Sequence, residues 1–193
     1  LPHDVAVEPD GKVLITGMFT HRLYRLDPDS GTMGEIPIPV DKANPRAIEL
    51  DASGRPWLVL GGPNKLAVLA DSQWRSFDVG MYAHSLGVGR DGRVWFNGHF
   101  TRAPELIGSV DSAGRVTTYE VPAHPSLARD PGGPIPYELR VGPDGRVWMS
   151  ELRGNRMVAF TPGTAAFRAY DLPTPHSGPR RFDVDSKGLV WIP

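Results

Sequence analysis

Five residues that can form hydrogen bonds recur at one position of a repeat in this chain. Each lies eleven residues before a Trp or, in the first copy, a Leu: His3, Arg46, His84, Tyr137 and Arg180. A packing position would favour Val or Leu instead. Imidazole is a base near neutral pH, and phenol and guanidinium groups can stabilise an oxyanion. The pattern predicts acid–base catalysis, with His3 or His84 as the base, or a polar binding site in which Arg46, Tyr137 and Arg180 contact the substrate.

A second position, three residues after the same Trp or Leu, holds Gly17, Leu60, Gly98 and Glu151. Glu151 is its charged member, and a carboxylate can orient a His or hold a metal ion. We therefore predict that Glu151 is a catalytic or metal-binding group. Asn97, one residue before this position in the third copy, is predicted to contact substrate. Because guanidinium forks pair with carboxylates, Arg46 and Arg180 would suit an anionic ligand.

These residues are placed by an internal repeat of five segments. The segments align on the turn glycines Gly11, Gly54, Gly92, Gly145 and Gly188, which lie 43, 38, 53 and 43 residues apart. A second aligned column holds Leu14, Trp57, Trp95, Trp148 and Trp191, which we expect to pack between repeats. A period of roughly 40–50 residues is typical of one propeller blade. Each copy has the pattern of four short strands, with an Asp-Gly type turn after the first strand.

The repeat predicts an all-β fold, a β-propeller of four-stranded antiparallel blades in a single domain. The blades cover about 1–42, 43–80, 81–122, 134–175 and the start of a fifth at 176–193. A half-blade leaves an unpaired edge, which soluble proteins avoid, so we expect this chain to be part of a six- or seven-bladed propeller. The first strand of each blade would line a central channel, with both polar columns at its mouth.

One connection is unusually long, and four further histidines fall in connecting segments. The link 123–135 is Pro-rich and would form a rim or partial lid at the same mouth. The histidines are predicted to be solvated loop residues: His21, His99, His124 and His176.

Composition excludes several classes of function. Lys and Arg number 21 against 22 Asp and Glu, so the chain lacks the basic footprint of a nucleic-acid-binding protein. There is no apolar run of about 18 residues, which argues against a membrane span. The absence of Cys removes disulfides, thiolate metal sites and Cys nucleophiles. Exported propellers of this style are common, so a periplasmic or secreted location is preferred.

The repeat pattern resembles that of the virginiamycin B lyase, or streptogramin lyase, family, and more widely the gluconolactonase and NHL-type propellers. The family pattern begins Pro-His and continues through Pro-Asp-Gly to Trp-Phe-(Thr/Ser)-Glu. It is followed by Asn-(Arg/Lys)-(Ile/Met) and a closing strand that ends in Pro. Pro2-His3 matches its start in full and Ala83-His84 in part, while Trp148 to Glu151 matches Trp-x-x-Glu.

The resemblance implies a reaction in which a cyclic depsipeptide is opened by elimination. A His at the start of a channel strand, here His3 or His84, would remove a proton α to a carbonyl. Mg²⁺ and a second His would support the enolate, and Glu151 would hold the metal or assist. Two alternatives stay open: a non-catalytic propeller that binds a peptide, glycan or protein at the channel mouth, and a gluconolactonase-like metal-dependent hydrolase with Ca²⁺ as its metal.

Overall fold

In the computed structural model, which describes residues 1–101 and 104–193, antiparallel sheets follow one another along the chain. The first sheet contains β1 (Pro2–Val7), β2 (Val13–Gly17), β3 (Arg22–Leu26) and β4 (Met33–Pro37). The second contains β5 (Pro45–Leu50), β6 (Pro56–Leu60), β7 (Lys65–Ala70) and β8 (Gln73–Asp78).

Three further sheets complete the described fold. The third contains β9 (Ala83–Val88), β10 (Val94–Gly98), β11 (Glu105–Val110) and β12 (Val116–Val121). The fourth contains β13 (Pro136–Val141), β14 (Val147–Glu151), β15 (Arg156–Thr161) and β16 (Ala166–Asp171). The fifth pairs β17 (Asp183–Val184) with β18 (Val190–Trp191). Strands neighbour one another in chain order within every sheet, which confirms the predicted β-propeller architecture.

The chain divides into two compact units, Leu1–Leu86 and Gly87–Pro193. Within the part of the chain that the structure describes, no helix is long and apolar enough to cross a bilayer.

The first hairpin of each sheet turns at the aligned glycine. In the first sheet the Gly11 N–H donates to the Glu8 carbonyl at 2.9 Å, and the Glu8 N–H donates to the Lys12 carbonyl at 2.7 Å. Gly11 has a φ of 87° and Gly145 a φ of 78°, a conformation that side chains with a Cβ rarely adopt. The predicted Asp-Gly turns are therefore confirmed.

Aromatic packing between neighbouring sheets forms the core of the second unit. Trp95 on β10 is 2% exposed and packs in one cluster with Leu139, Met149 and Phe160 of the fourth sheet. The ring centroids of Trp95 and Phe160 are 5.4 Å apart. Trp148 packs in the same manner against Phe182, just before the fifth sheet. For these two copies, the Trp column packs between repeats as the sequence predicts. Trp191 is 62% exposed, so the expectation is wrong for the fifth copy.

A β-bulge interrupts the first strand of three sheets at the same point. In the first sheet Pro2 pairs with Gly17 and Val5 with Ile15, so two residues of β1 face one residue of β2. The same shift occurs between Pro45 and Ile48 in β5, and between Pro136 and Leu139 in β13. A bulge bends the strand and re-aims its side chains. The residue pairs that it displaces are His3–Asp4, Arg46–Ala47 and Tyr137–Glu138.

Candidate functional site

In the first unit, the structure brings His3, Arg46 and His84 together. The Nδ1 atom of His3 lies 3.1 Å from the carbonyl oxygen of Arg46. Since a carbonyl only accepts hydrogen bonds, Nδ1 carries the proton and Nε2 keeps its lone pair in the neutral ring. The rings of His3 and His84 meet edge to face, with centroids 6.0 Å apart and planes at 75°. His84 is buried and His3 half-buried, so His3 is the more accessible of the two.

The guanidinium group of Arg46 is held against an aromatic ring in this cluster. Its Cζ atom lies 4.8 Å from the centroid of the Tyr82 ring, in a cation–π contact. Burial raises the pKa of Tyr82, although the positive charge of Arg46 acts in the opposite direction, so the phenol keeps its proton at neutral pH. The Nε atom of Arg46 is buried and has no hydrogen-bond partner among the described residues. Arg46 therefore contributes a cation of fixed orientation with one donor still to be satisfied.

Thr16 ties the two bulged strands of this unit together. Its hydroxyl accepts a hydrogen bond from the Asp4 N–H at 2.9 Å and donates to the Arg46 carbonyl at 2.9 Å. The side chain is fully buried. Because His3 donates to the same carbonyl, Thr16 helps to fix the group that sets the tautomer of His3.

Replacing Thr16 with Val is expected to lower the free energy of unfolding by about 1–3 kcal/mol, because the part-buried N–H of Asp4 loses its acceptor while the side-chain volume is kept. Chemical denaturation measures the change. Thr118→Val on the exposed side of β12 is the control, and it should change stability by less than about 0.5 kcal/mol. A loss no greater than that of the control would contradict the assigned role of Thr16.

In the second unit, Tyr137 and Arg180 form a corresponding pair. The Arg180 Nε–H donates to the Tyr137 hydroxyl at 2.8 Å, and the guanidinium carbon lies 5.1 Å from the ring centroid. Asn97 is fully buried, and its Nδ2 donates to the Tyr137 carbonyl at 3.0 Å. Asn97 thus makes the same kind of strand-to-strand link as Thr16, and its predicted contact with substrate stays a prediction.

His99 joins this second cluster, although sequence analysis placed it in a solvated loop. The side chain is 8% exposed, so that expectation is wrong. Its Nδ1 lies 2.8 Å from the Pro136 carbonyl, and its ring meets the Tyr137 ring edge to face at 5.2 Å. The sequence feature that could have indicated this is the position of His99 directly after Gly98, the last residue of β10. That end of the blade also carries the two polar columns.

Glu151 is fully buried and paired with one cation. Its two carboxylate oxygens accept from Arg156, at 2.6 Å from Nε and 2.9 Å from Nη2. Arg156 Nη2 also lies 3.2 Å from the Pro122 carbonyl. Both oxygens that the predicted metal-binding role of Glu151 would use are therefore hydrogen-bonded to Arg156.

The acidic and imidazole groups of the described residues do not gather into a metal site. In 1–101 and 104–193 there is no group of three or more His, Asp or Glu side chains arranged to hold an ion. Together with the hydrogen-bonded carboxylate of Glu151, this leaves no complete ligand set among the described residues for the Mg²⁺ implied by the resemblance or the Ca²⁺ of the alternative, and both ions stay predictions.

Glu105, the first residue of β11, lies near the Glu151–Arg156 pair. Burial and the charge of Glu151 raise the pKa of Glu105 to about 8, against smaller opposing effects from Arg156 and the Ile135 N–H. The carboxyl group is therefore protonated over much of the neutral range.

This shift predicts a loss of stability with rising pH. The pKa of Glu105 in the folded chain lies above its ordinary value of 4.5, so the folded state holds the proton more tightly. The resulting stabilisation of the folded state is complete below the ordinary pKa and is lost as the pH rises towards 8. Because Glu105 is only partly buried, the free energy of unfolding should fall by less than about 1.4 kcal/mol per pH unit. Chemical denaturation at a series of pH values should show the slope flattening in Glu105→Gln but not in Glu120→Gln. An unchanged slope in Glu105→Gln would show that another titrating group causes the loss of stability with rising pH.

Proteins of known structure share this fold. A streptogramin B lyase has a TM-score of 0.86 and 22% identity, over 99% of this chain and 61% of its own. A virginiamycin B lyase from Staphylococcus aureus has a TM-score of 0.84 and 22% identity, over 99% of this chain and 62% of that enzyme. A gluconolactonase from Xanthomonas campestris has a TM-score of 0.74 and 17% identity, over 99% of this chain and 69% of that enzyme. The chain therefore spans about three fifths of the length of these lyases.

A model of the virginiamycin B lyase family matches residues 1–193, the whole chain. A search of curated proteins by sequence found no match. The family resemblance of the repeat pattern is thereby confirmed.

Proposed function

Because the chain belongs to the virginiamycin B lyase family, we propose that it carries part of the active site of a carbon–oxygen lyase that opens a cyclic ester or depsipeptide by elimination. The observation that carries the proposal is the hydrogen bond between His3 Nδ1 and the Arg46 carbonyl. A neutral imidazole that donates through Nδ1 carries its lone pair on Nε2, and this supports the role of a general base.

The reaction assigns one role to each member of this cluster. Nε2 of His3 takes the proton from the carbon α to a carbonyl. The electrons of that C–H bond form a carbon–carbon double bond while the adjacent carbon–oxygen bond of the ester breaks, and the ester group leaves as a carboxylate. Negative charge develops on the carbonyl oxygen, where the cation of Arg46 can stabilise it. The ring of His84 packs edge-on against His3 and restricts its rotation.

No metal-dependent step is part of this proposal for the described residues. The Mg²⁺ of the resemblance would supply a Lewis acid at the carbonyl oxygen. The fork between Glu151 and Arg156 leaves that role to ligands other than this carboxylate.

The test is incubation of the protein with quinupristin, the ligand in the structure of a catalytically inactive relative from Staphylococcus aureus. Elimination gives a ring-opened product of unchanged mass with a new double bond, whereas hydrolysis adds the mass of one water. Chromatography coupled to mass spectrometry separates these outcomes. The proposal predicts the product of unchanged mass. A hydrolysed product would favour the gluconolactonase-like alternative, and added Ca²⁺ should then stimulate it.

A second candidate function is binding without turnover, at the Arg46 cluster of the first unit or at the Arg180–Tyr137 pair of the second. It is favoured by the two guanidinium groups at equivalent positions of the repeat, Arg46 and Arg180, each stacked on a tyrosine ring. Such pairs would hold a ligand carrying carboxylate or carbonyl groups. Calorimetric binding of intact quinupristin, with no product after prolonged incubation, would support this candidate against the lyase.

A further inference from the structure

A pocket of about 550 Å³ lies in the second unit, between the long link after β12 and the adjoining ends of β11 and β12. Its apolar wall is rich in proline and comprises Pro104, Val121, Pro122, Leu127, Pro131 and Pro134. Glu105 and Glu120 supply carboxyl groups to its lining. The pocket shares no residue with the clusters around His3 and Tyr137, so the proposed lyase reaction does not account for it.

The link that covers the pocket is anchored by side chains. His124 bonds through Nε2 to the Gly154 carbonyl at 3.0 Å, and its Nδ1 accepts from the Leu127 N–H at 3.2 Å. Asp130 pairs with both terminal nitrogens of Arg153, at 2.8 and 3.2 Å. Prolines further restrict the backbone. The pocket is therefore formed before a ligand arrives, which lowers the entropy cost of binding.

The charges beside the pocket balance only while Glu105 holds its proton. Glu105 and the buried Glu151 are two carboxyl groups beside one guanidinium, that of Arg156. When both carboxyls are ionised, one negative charge has no partner within this group. Asp130 is already paired with Arg153, while Arg129 lines the pocket with an exposed side chain. A cation placed at Glu105 would compensate the excess charge.

We infer that this pocket binds a small apolar molecule that carries one ammonium group. The ammonium group contacts the Glu105 carboxylate, and the hydrocarbon part packs on the proline-rich wall. Pockets for small molecules are commonly about 300–1,000 Å³, mainly apolar, with a few polar groups that set orientation. Once Glu105 is ionised, a neutral ligand would leave its charge uncompensated, and an anion would add to the repulsion.

The probe is phenylbutylammonium, compared with phenylbutanol, which has a similar shape and no charge. Calorimetry with the intact protein at about pH 8, where about half of the Glu105 carboxyl groups are ionised, should give at least a tenfold tighter binding of the ammonium. Glu105→Gln should abolish this preference and leave the affinity for phenylbutanol unchanged. Glu35→Gln, an exposed carboxylate in the first unit, is the matched control and should bind as the unmodified protein does.

A second variant tests the position of the ligand. Ala128 lines the pocket, and Ala128→Trp should fill it and weaken the binding of both probes at least tenfold. Absence of binding by either probe would overturn the inference, as would equal affinity for the two or an ammonium preference that survives in Glu105→Gln. Quinupristin opening should be unchanged in Glu105→Gln, so a failure here is distinct from a failure of the lyase proposal.

Discussion

Replacement of Arg156 with Met is expected to lower the free energy of unfolding by about 3–5 kcal/mol, because it strands a buried carboxylate without its counter-charge. Glu151 is fully buried, and both of its oxygens accept from Arg156. Met replaces the unbranched stem of Arg with apolar atoms, so the volume lost is limited to the guanidinium group and the loss reports mainly the missing charge and hydrogen bonds. Chemical denaturation, followed by the intrinsic fluorescence of the tryptophans, measures it.

Two further variants show whether the ion pair is the cause. The double variant Arg156→Met with Glu151→Leu should regain most of the stability, since a buried pair replaced by apolar groups often costs little. Arg153→Met removes an exposed partner of Asp130 and should cost at most about 1 kcal/mol. If the double variant is as unstable as the single one, packing rather than charge explains the loss.

Replacement of His3 with Asn is expected to reduce the rate of quinupristin opening by about 100-fold or more, because Asn can donate to the Arg46 carbonyl but cannot act as a base. The folded structure should be retained, since the side chain is only half-buried and the hydrogen bond can be kept. The rate is followed by the appearance of the ring-opened product, with kcat and KM measured separately. We expect the loss mainly in kcat.

His176→Asn is the matched control, because it is the same substitution at an exposed histidine with a φ of 56°, which Asn tolerates. Its rate should equal that of the unmodified protein. Unchanged activity in His3→Asn would rule out His3 as the base and direct attention to His84.

The repeat predicted the fold well because blade construction is a matter of short-range chemistry. Asp-Gly turns require positive φ, and Trp95 and Trp148 occur where sheets pack. Counting residues from the Gly and Trp columns also predicted that His3, Arg46 and His84 occupy equivalent positions of the repeat. In the first unit these three residues lie close together. The local sequence pattern and the length of the repeat were sufficient to predict the fold and these equivalent positions.

The partners of buried polar groups were not predictable in the same way. Glu151 was expected to be available for a His or a metal, whereas it pairs with Arg156 across the β14–β15 hairpin. Nothing in the spacing of two residues five apart distinguishes an ion pair from two separate exposed groups. The burial of His99 likewise depends on β13, which is distant in sequence.

The bulge in the first strands separates the part of each strand that packs in the core from the part that carries the candidate site residues. After the bulge, Ile48 and Leu139 resume the alternation and are buried at 6% and 0% exposure. The residues within it, such as Arg46 and Tyr137, lie outside that alternation. Their identity can change over evolutionary time without shifting an apolar residue out of the core. A protein built in this way can acquire new ligands while its blades stay the same.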